Sequence, residues 1–151
     1  MRPDDPHDLA RFVNAQEGVY AVALSELRRG LKQSHWIWFI FPQVAGLGVS
    51  ATSRRYAISS LAEAEAYLNH EVLGPRLVEC AEAVVGIEGR SAHQIFGSPD
   101  DMKLRSSATL FDCVSSRGSV FERLLVRYFG GIPDAATLRL LGLSARTSGR
   151  P

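Results

Sequence analysis

Four of the six residues from Trp36 to Phe41 are aromatic, and the run Ser34-His35-Trp36-Ile37-Trp38-Phe39-Ile40-Phe41-Pro42-Gln43 constrains this chain more than any other feature. An aromatic side chain has about 150–250 Å² to bury, so the run belongs at the centre of the core. As a strand it would be apolar on both faces, and as a helix apolar all round, so periodicity does not separate the two. Ser34 as an N-cap and Pro42 as a stop favour a short buried helix. A glycine-punctuated stretch follows, Gly46-Leu47-Gly48-Val49-Ser50, and any pocket is expected where the aromatic run meets it.

The 151 residues, 46% hydrophobic and 22% charged, suit one domain with a full core. Seventeen Lys and Arg face 16 Asp and Glu. That balance disfavours a dedicated nucleic-acid binder. Cys80 and Cys113 show neither ligand spacing nor a disulfide framework. The polar start lacks a signal-peptide pattern, and no run reaches the roughly 18 apolar residues of a membrane span. A cytoplasmic protein is the expectation.

Asp8 as an N-cap, with Leu9, Phe12, Val13, Gln16, Tyr20, Leu24 and Leu27 at helical spacing, predicts one long first helix that Gly30 stops. Residues 43–59 lack a period and read as a structured loop, extended near Arg55-Tyr56-Ala57-Ile58; long ordered loops are usually functional. Helices are expected from Leu61 to about Asn69, capped by Ser59 or Ser60, and from Leu73 to about Val85, with Pro75 in the first turn. A short one spans Ala92 to Phe96. Ser98-Pro99-Asp100-Asp101 opens the next, with Ser98 as N-cap, and it ends near Val114. Another runs from Ser119 through Phe129, and Asp134 caps a last one containing Leu138 and Leu141. The class is mainly α: a single-domain globular helical fold of about six to seven helices around the buried aromatic segment. Residues 1–7 read as a flexible N-terminus, 8–143 as the domain and 144–151 as a flexible tail.

The aromatic run resembles a known pattern when taken together with Gly46-Leu47-Gly48, Ser53 through Ile58, Tyr67-Leu68-Asn69-His70, Leu73-Gly74-Pro75-Arg76-Leu77, Ile95-Phe96-Gly97 and Asp101-Met102-Lys103-Leu104 with Ser106 through Phe111. The ordered set is similar to a small bacterial and fungal family of unknown function whose members sometimes carry the label "calpastatin", and the match extends from about Leu9 to Leu141. The resemblance implies a mostly helical fold and brings no established activity. The label does not suit the chain: calpastatin resembles a disordered polypeptide that folds on its protease, whereas this sequence patterns a helical core. Glu71 stands where the family often has proline, and Ile37 and Ala108 stand where it has methionine. These are packing-type differences.

Several residues are candidates for chemistry. His35, beside the aromatic cluster, suits acid–base work near neutral pH, with a capping role as the plain alternative. Trp36 and Trp38 offer faces for stacking a ring, although core packing alone accounts for most of the run. The Gln43 amide emerges just past Pro42 and could read a polar edge. The loop with Gly46, Gly48, Ser50, Ser53, Arg54 and Arg55 is the best phosphate candidate, since glycines let backbone N–H groups approach an anion. It matches neither phosphate-loop nor dinucleotide fingerprint, and solvated turn chemistry explains it equally well. Asp100, Lys103 and Ser107 share one helix face. A Lys–Ser pair can be catalytic, with Asp101 as a further acid; for the two acids, helix capping is the simpler account. Ser106, Ser107 and Thr109 are unusual within a helix and suggest a polar lining or close packing. Arg76 suits a carboxylate or phosphate clamp, or an ion pair with Glu79 or Glu82. The four histidines show no metal spacing, and no cofactor is expected.

Two functional readings follow. In the first, the chain is a small-molecule binding protein or hydrolase for a nucleotide-like or ADP-ribose-like, phosphate-bearing ligand. Its pocket lies between the segment 35–43, the loop 46–56 and the helix from 99, with His35, Asp101 and Lys103 as catalytic candidates. A faint similarity to helical N-glycosidase-like proteins acting on ADP-ribose conjugates, in Asp134, Thr137 and Leu138, points the same way. In the second, the chain is a non-catalytic protein-interaction module. The residues leave open whether it is an enzyme.

Overall fold

The structure, a computed structural model, describes residues 5–143. The tail expected over 144–151, and residues 1–4 of the expected N-terminal lead-in, lie outside the described residues. Ten helices occur among the described residues, more than the six or seven expected: α1 (Ala10–Ala15), α2 (Tyr20–Arg29), α3 (Ile37–Ile40), α4 (Ala51–Arg55), α5 (Leu61–Asn69), α6 (Leu73–Val85), α7 (Ala92–Phe96), α8 (Asp100–Asp112), α9 (Val120–Phe129) and α10 (Ala135–Leu140).

The long first helix is in fact two. Gly18 takes a φ of +70° between α1 and α2, a value that favours glycine and ends helical propagation. Asp8 is not the cap either, since it lies at φ +52°. Asp5 does that work, its carboxylate accepting the N–H groups of Leu9 and Ala10 at 2.8 and 3.0 Å.

The aromatic run forms a single buried turn, α3, without a side-chain cap. Ser34 does not cap it; its hydroxyl donates to Glu26 instead. Between Pro42 and Ser59 the chain makes one parallel bridge, Val44 to Ile58, and the extra short helix α4, which Ser50 caps.

Downstream the local signals and the structure agree closely. Ser60, Ser91, Ser119 and Asp134 each cap a helix by accepting the N–H three residues on. Gly130 ends α9 in the left-handed conformation. Ser98 is the exception. Its peptide to Pro99 is cis, Pro99 occupies the N-cap position, and α8 has no side-chain cap. Gly74 is demanded by a close approach: a Cβ there would lie 2.0 Å from the Leu68 carbonyl oxygen, where α6 crosses the end of α5.

Helix α8 is the axis of the fold and packs against α3, α5, α7, α9 and α10. It is buried almost all round, through Leu104, Ala108, Leu110 and Phe111 but also through Ser106, Ser107 and Thr109. Two aromatic groups fill the core, the second including Phe111 of α8 itself. Trp36, Phe41 and Phe96 form one, with centroids 6.3–6.5 Å apart. Phe12, Tyr67, Phe111 and Phe121 form the other in edge-to-face and tilted contacts of 5.1–5.7 Å. Ile37 and Ala108, where the resembled family has methionine, are both within this core.

Candidate functional site

Glu26 organises the entry to the aromatic segment. It is 3% exposed, on the inward stripe of α2 with Ala23 and Leu27. Its Oε1 accepts the N–H of Gln33 at 2.8 Å, of Ser34 at 3.0 Å and the indole N–H of Trp36 at 2.8 Å. Its Oε2 accepts the Ser34 hydroxyl at 2.5 Å. Burial alone would raise the carboxyl pKa, but these hydrogen bonds from Ser34, the backbone and Trp36 outweigh it and bring the value down to about 2. Trp36, proposed above as a stacking face, is thus a buried strut.

A second buried carboxylate, Glu63, pairs with Arg11 at 2.8 Å and accepts from the N–H and hydroxyl of Ser59. Arg11 also donates to the carbonyls of Arg55 and Ala57. The hub pins the end of the 43–59 stretch to α1 and α5.

Trp38 lies two residues beyond Trp36 and is held differently. It is half-buried, its indole N–H is fully buried, and that N–H has no hydrogen-bond partner among the described residues. The Lys103 ammonium stands 5.0 Å from the Trp38 ring centroid and 3.7 Å from Asp100 Oδ1. Lys32 takes the other oxygen of Asp100 at 2.7 Å, donates to the Ser34 carbonyl at 2.6 Å and lies 5.0 Å from the Trp36 ring.

One turn beyond Lys103, on the same face of α8, Ser107 is 1% exposed and its hydroxyl too has no partner. The neighbouring hydroxyls behave otherwise. Ser106 donates to the Met102 carbonyl at 3.1 Å, Thr109 to Arg105 at 2.8 Å and Ser115 to Phe111 at 2.7 Å, each four residues back. Ser107 does not make the equivalent bond to Lys103. A buried polar group without a partner costs about 1–3 kcal/mol, and two such donors occur here, one on α3 and one on α8.

The structure therefore brings Trp38, Lys103 and Asp100 together, with Ser107 one turn further along α8. Asp101 follows Asp100 in the first turn of α8, accepting the Met102 N–H at 2.8 Å and facing His93 at 3.5 Å. Other candidates are held by contacts of their own. His35 is exposed ahead of buried Trp36. Gln43 contributes its carbonyl to the bridge, accepting from Ile58 at 2.8 Å.

Gly46 has φ +104° and packs on Leu140, while a Cβ on Gly48 would lie 2.3 Å from Ser53 Cβ. Both glycines thus answer packing. Ser50 is the α4 cap, Arg54 is exposed, and Arg55 lies over the Tyr56 ring. Arg76 pairs with neither Glu79 nor Glu82; it donates to Gln16 at 3.1 Å and lies over Tyr20. Asp134 and Thr137, the basis of the faint glycosidase similarity, form a cap, the Thr137 N–H and hydroxyl both donating to Asp134.

An open groove of about 670 Å³ lies elsewhere, between the end of α6 and the start of α9, and includes Val85, Arg117, Arg123, Val126 and Arg127. None of the sequence-derived candidates lines it. Arg123 is paired with Glu82 at 2.7 Å and Arg127 with the Ile87 carbonyl. Cys80 is buried, and burial pushes its thiol up to about 12, so it is not a nucleophile at neutral pH. Among the described residues, no group of three or more His, Cys, Asp or Glu could hold a metal ion. No described helix is long and apolar enough to cross a membrane.

Comparison with known proteins agrees with this helical architecture. A family described as "Protein of unknown function (DUF1810)" matches residues 6–141. A crystal structure at 1.38 Å of the conserved hypothetical protein Rv1873 from Mycobacterium tuberculosis is similar throughout: 52% identity, a TM-score of 0.90, and coverage of 93% of this chain and all of that one. None of the curated proteins matches. The match to nearly the whole chain shows that it belongs to the DUF1810 family.

Proposed function

We propose that this member of a family of unknown function is a small-molecule binding protein whose site lies at the seam of α3 and α8, on Trp38, Lys103 and Ser107. The observation that carries the reading is the pair of buried, unanswered donors, Trp38 Nε1–H beside Lys103 and Ser107 Oγ–H one turn along α8 from that lysine. Every other polar group discussed in this core has its partner, and a bound acceptor would supply the missing two. Trp38 adds a ring against which a planar group packs, and Lys103 adds a positive charge.

The broader expectation of a nucleotide-like or ADP-ribose-like ligand with phosphate on the 46–56 loop has less support, because the loop glycines and Ser50 are engaged in packing and capping. Hydrolysis would need a base beside Ser107 or an activated water. The pairing of Lys103 with Asp100 and its position over Trp38 support reading it as a binding cation. Binding is accordingly the reading preferred over catalysis and over a protein-interaction module.

Thermal unfolding against a panel of organic acids, nucleotides, sugars and phosphates tests it. A ligand at a hundred times its dissociation constant adds about 2.7 kcal/mol, which lifts the midpoint of a domain this size by roughly 5–10 °C. The expected result is a shift with at least one class, abolished by Trp38→Phe, which keeps a ring and removes the N–H. A flat panel at high ligand concentration would favour the interaction-module reading.

A further inference from the structure

The corner between α5 and α6 turns on a histidine used as a hydrogen-bond acceptor. His70 follows α5 with extended backbone, φ −69° and ψ 136°. Its Nδ1 accepts the N–H of Val72 at 3.1 Å and of Leu73 at 3.2 Å, and its carbonyl accepts the Gly74 N–H at 3.1 Å. Extended backbone, a side-chain acceptor for the amides two and three residues on, and a carbonyl that starts the helical ladder are the geometry of an N-cap. Here it caps the turn that leads into α6, whose first residue is Leu73. The usual caps are Ser, Thr, Asp and Asn, none of which changes charge near neutral pH. We propose that His70 is a pH-sensitive cap: neutral, it holds the turn that opens α6; protonated at Nδ1, it releases that turn and loosens the α5–α6 corner.

Only neutral imidazole has an acceptor nitrogen, and imidazolium donates from both. With Nδ1 as the acceptor, the ring proton sits on Nε2. The opposite ring orientation would present a C–H to two N–H groups. A proton on Nδ1 therefore removes both cap bonds at once. It also sets a positive charge against the amide end of a 13-residue helix, where the dipole favours anions.

Among the described residues, no carboxylate pairs with the ring to offset this, and the charged groups around the corner are engaged elsewhere or exposed. Glu65 and Glu71 are exposed, and Glu63 of α5 holds Arg11. On α6, Arg76 is turned to Gln16 and Tyr20, and Glu79 to Tyr20 and Arg28. On α2, Glu26 binds Ser34 and Trp36, and Arg29 donates to Ser25. On α9, Arg123 holds Glu82, Arg127 the Ile87 carbonyl and Glu122 the Gly118 N–H. Helix α8 meets α5 through Phe111 on Tyr67, and α3 carries no charged residue. The released turn matters beyond itself. Gly74 lies against the Leu68 carbonyl, and Arg76 binds Gln16, which donates in turn to the Phe39 carbonyl and to Tyr67. The corner is thus linked to α3.

The test is NMR on the full chain from about pH 8 to 5, the span in which histidine changes charge. Nitrogen shifts of the ring report the tautomer, and hydrogen exchange, taken relative to the intrinsic rate at each pH, reports the cap. The expected result is an unprotonated Nδ1 at pH 8, with protection of the Val72 and Leu73 amides falling roughly five- to thirtyfold by pH 5, the size of a lost cap. Protection of Leu110 and Phe111 in α8 holds. His70→Asn, which keeps a cap without a titrating group, stays protected throughout, and His70→Ala is unprotected at both ends.

A proton on Nδ1 at pH 8 overturns the proposal without any variant, as does protection that ignores pH in the wild type. If His70→Asn loses protection with pH as the wild type does, another group is responsible and the proposal fails. If the α8 amides lose protection in parallel, the effect is global and the local switch is overturned.

Discussion

Trp36 and Trp38 stand two residues apart in one helical turn, yet their indole N–H groups meet opposite fates. Trp36 donates to Glu26 at 2.8 Å, within a carboxylate that also gathers Ser34 and two backbone amides. Trp38 donates to nothing among the described residues, and neither does Ser107 on α8, the helix against which α3 packs. The first region is complete by itself and the second is not. Aromatic density therefore does not mark a site; an account of where each polar hydrogen goes does.

The completed region is the costliest to disturb. Glu26→Ala strands four donors in the core, and losing one partner of a buried, hydrogen-bonded charge typically costs about 3–5 kcal/mol. Urea unfolding should show a loss of this size, with Glu26→Gln, which keeps an acceptor, losing less. An equal and small loss in both would mean that the Glu26 cluster contributes little and that the contrast between the regions is false.

Acid should open the same region. The folded pKa of about 2 lies below the ordinary 4.5, so the stabilisation is complete above the unfolded value and is lost as pH falls from about 4.5 to 2. The shift corresponds to about 3 kcal/mol. Stability measured across that range should fall in the wild type, and the part due to Glu26 should vanish in Glu26→Gln. A Glu26→Gln profile parallel to that of the wild type would remove Glu26 from the explanation.

Much of this fold is legible in the sequence because its signals are local. Caps at Ser60, Ser119 and Asp134, a proline in the first turn of α6 and glycine after α9 each act within a few residues, and those helices begin and end where such rules put them. The failures are long-range or weakly patterned. Helix α4 buries no residue, so it has no apolar stripe to read. The break between α1 and α2 hides inside a continuing helical period, because Gln16 looks like a stripe position and proves to be a buried amide bonded to the Phe39 carbonyl and Tyr67.

Glu26 and Glu63 were missed as organising residues. Glu26 sits next to Leu27 on an inward stripe, a local oddity that could have flagged it, whereas Arg11 is 52 residues from Glu63 and nothing nearby announces the pair. Of the candidate site, the surplus of hydroxyls in α8 is visible in the sequence as an anomaly. Which one lacks a partner depends on a side-chain rotation, and no sequence rule sets that.

The central claim is that the Ser107 hydroxyl waits for a partner from outside the fold, and Ser107→Ala tests it most directly. In the ligand-free protein, removing a buried hydroxyl that bonds to nothing should leave unfolding stability unchanged or raise it by up to about 1 kcal/mol. Thr109→Val, which removes a hydroxyl serving both the Arg105 carbonyl and the Asp134 N–H, should lower it by about 1 kcal/mol or more. Stability retained in Ser107→Ala, together with loss of ligand binding, is the predicted outcome. A Ser107→Ala protein destabilised as much as Thr109→Val would show that Ser107 is satisfied within the fold, and would contradict the account.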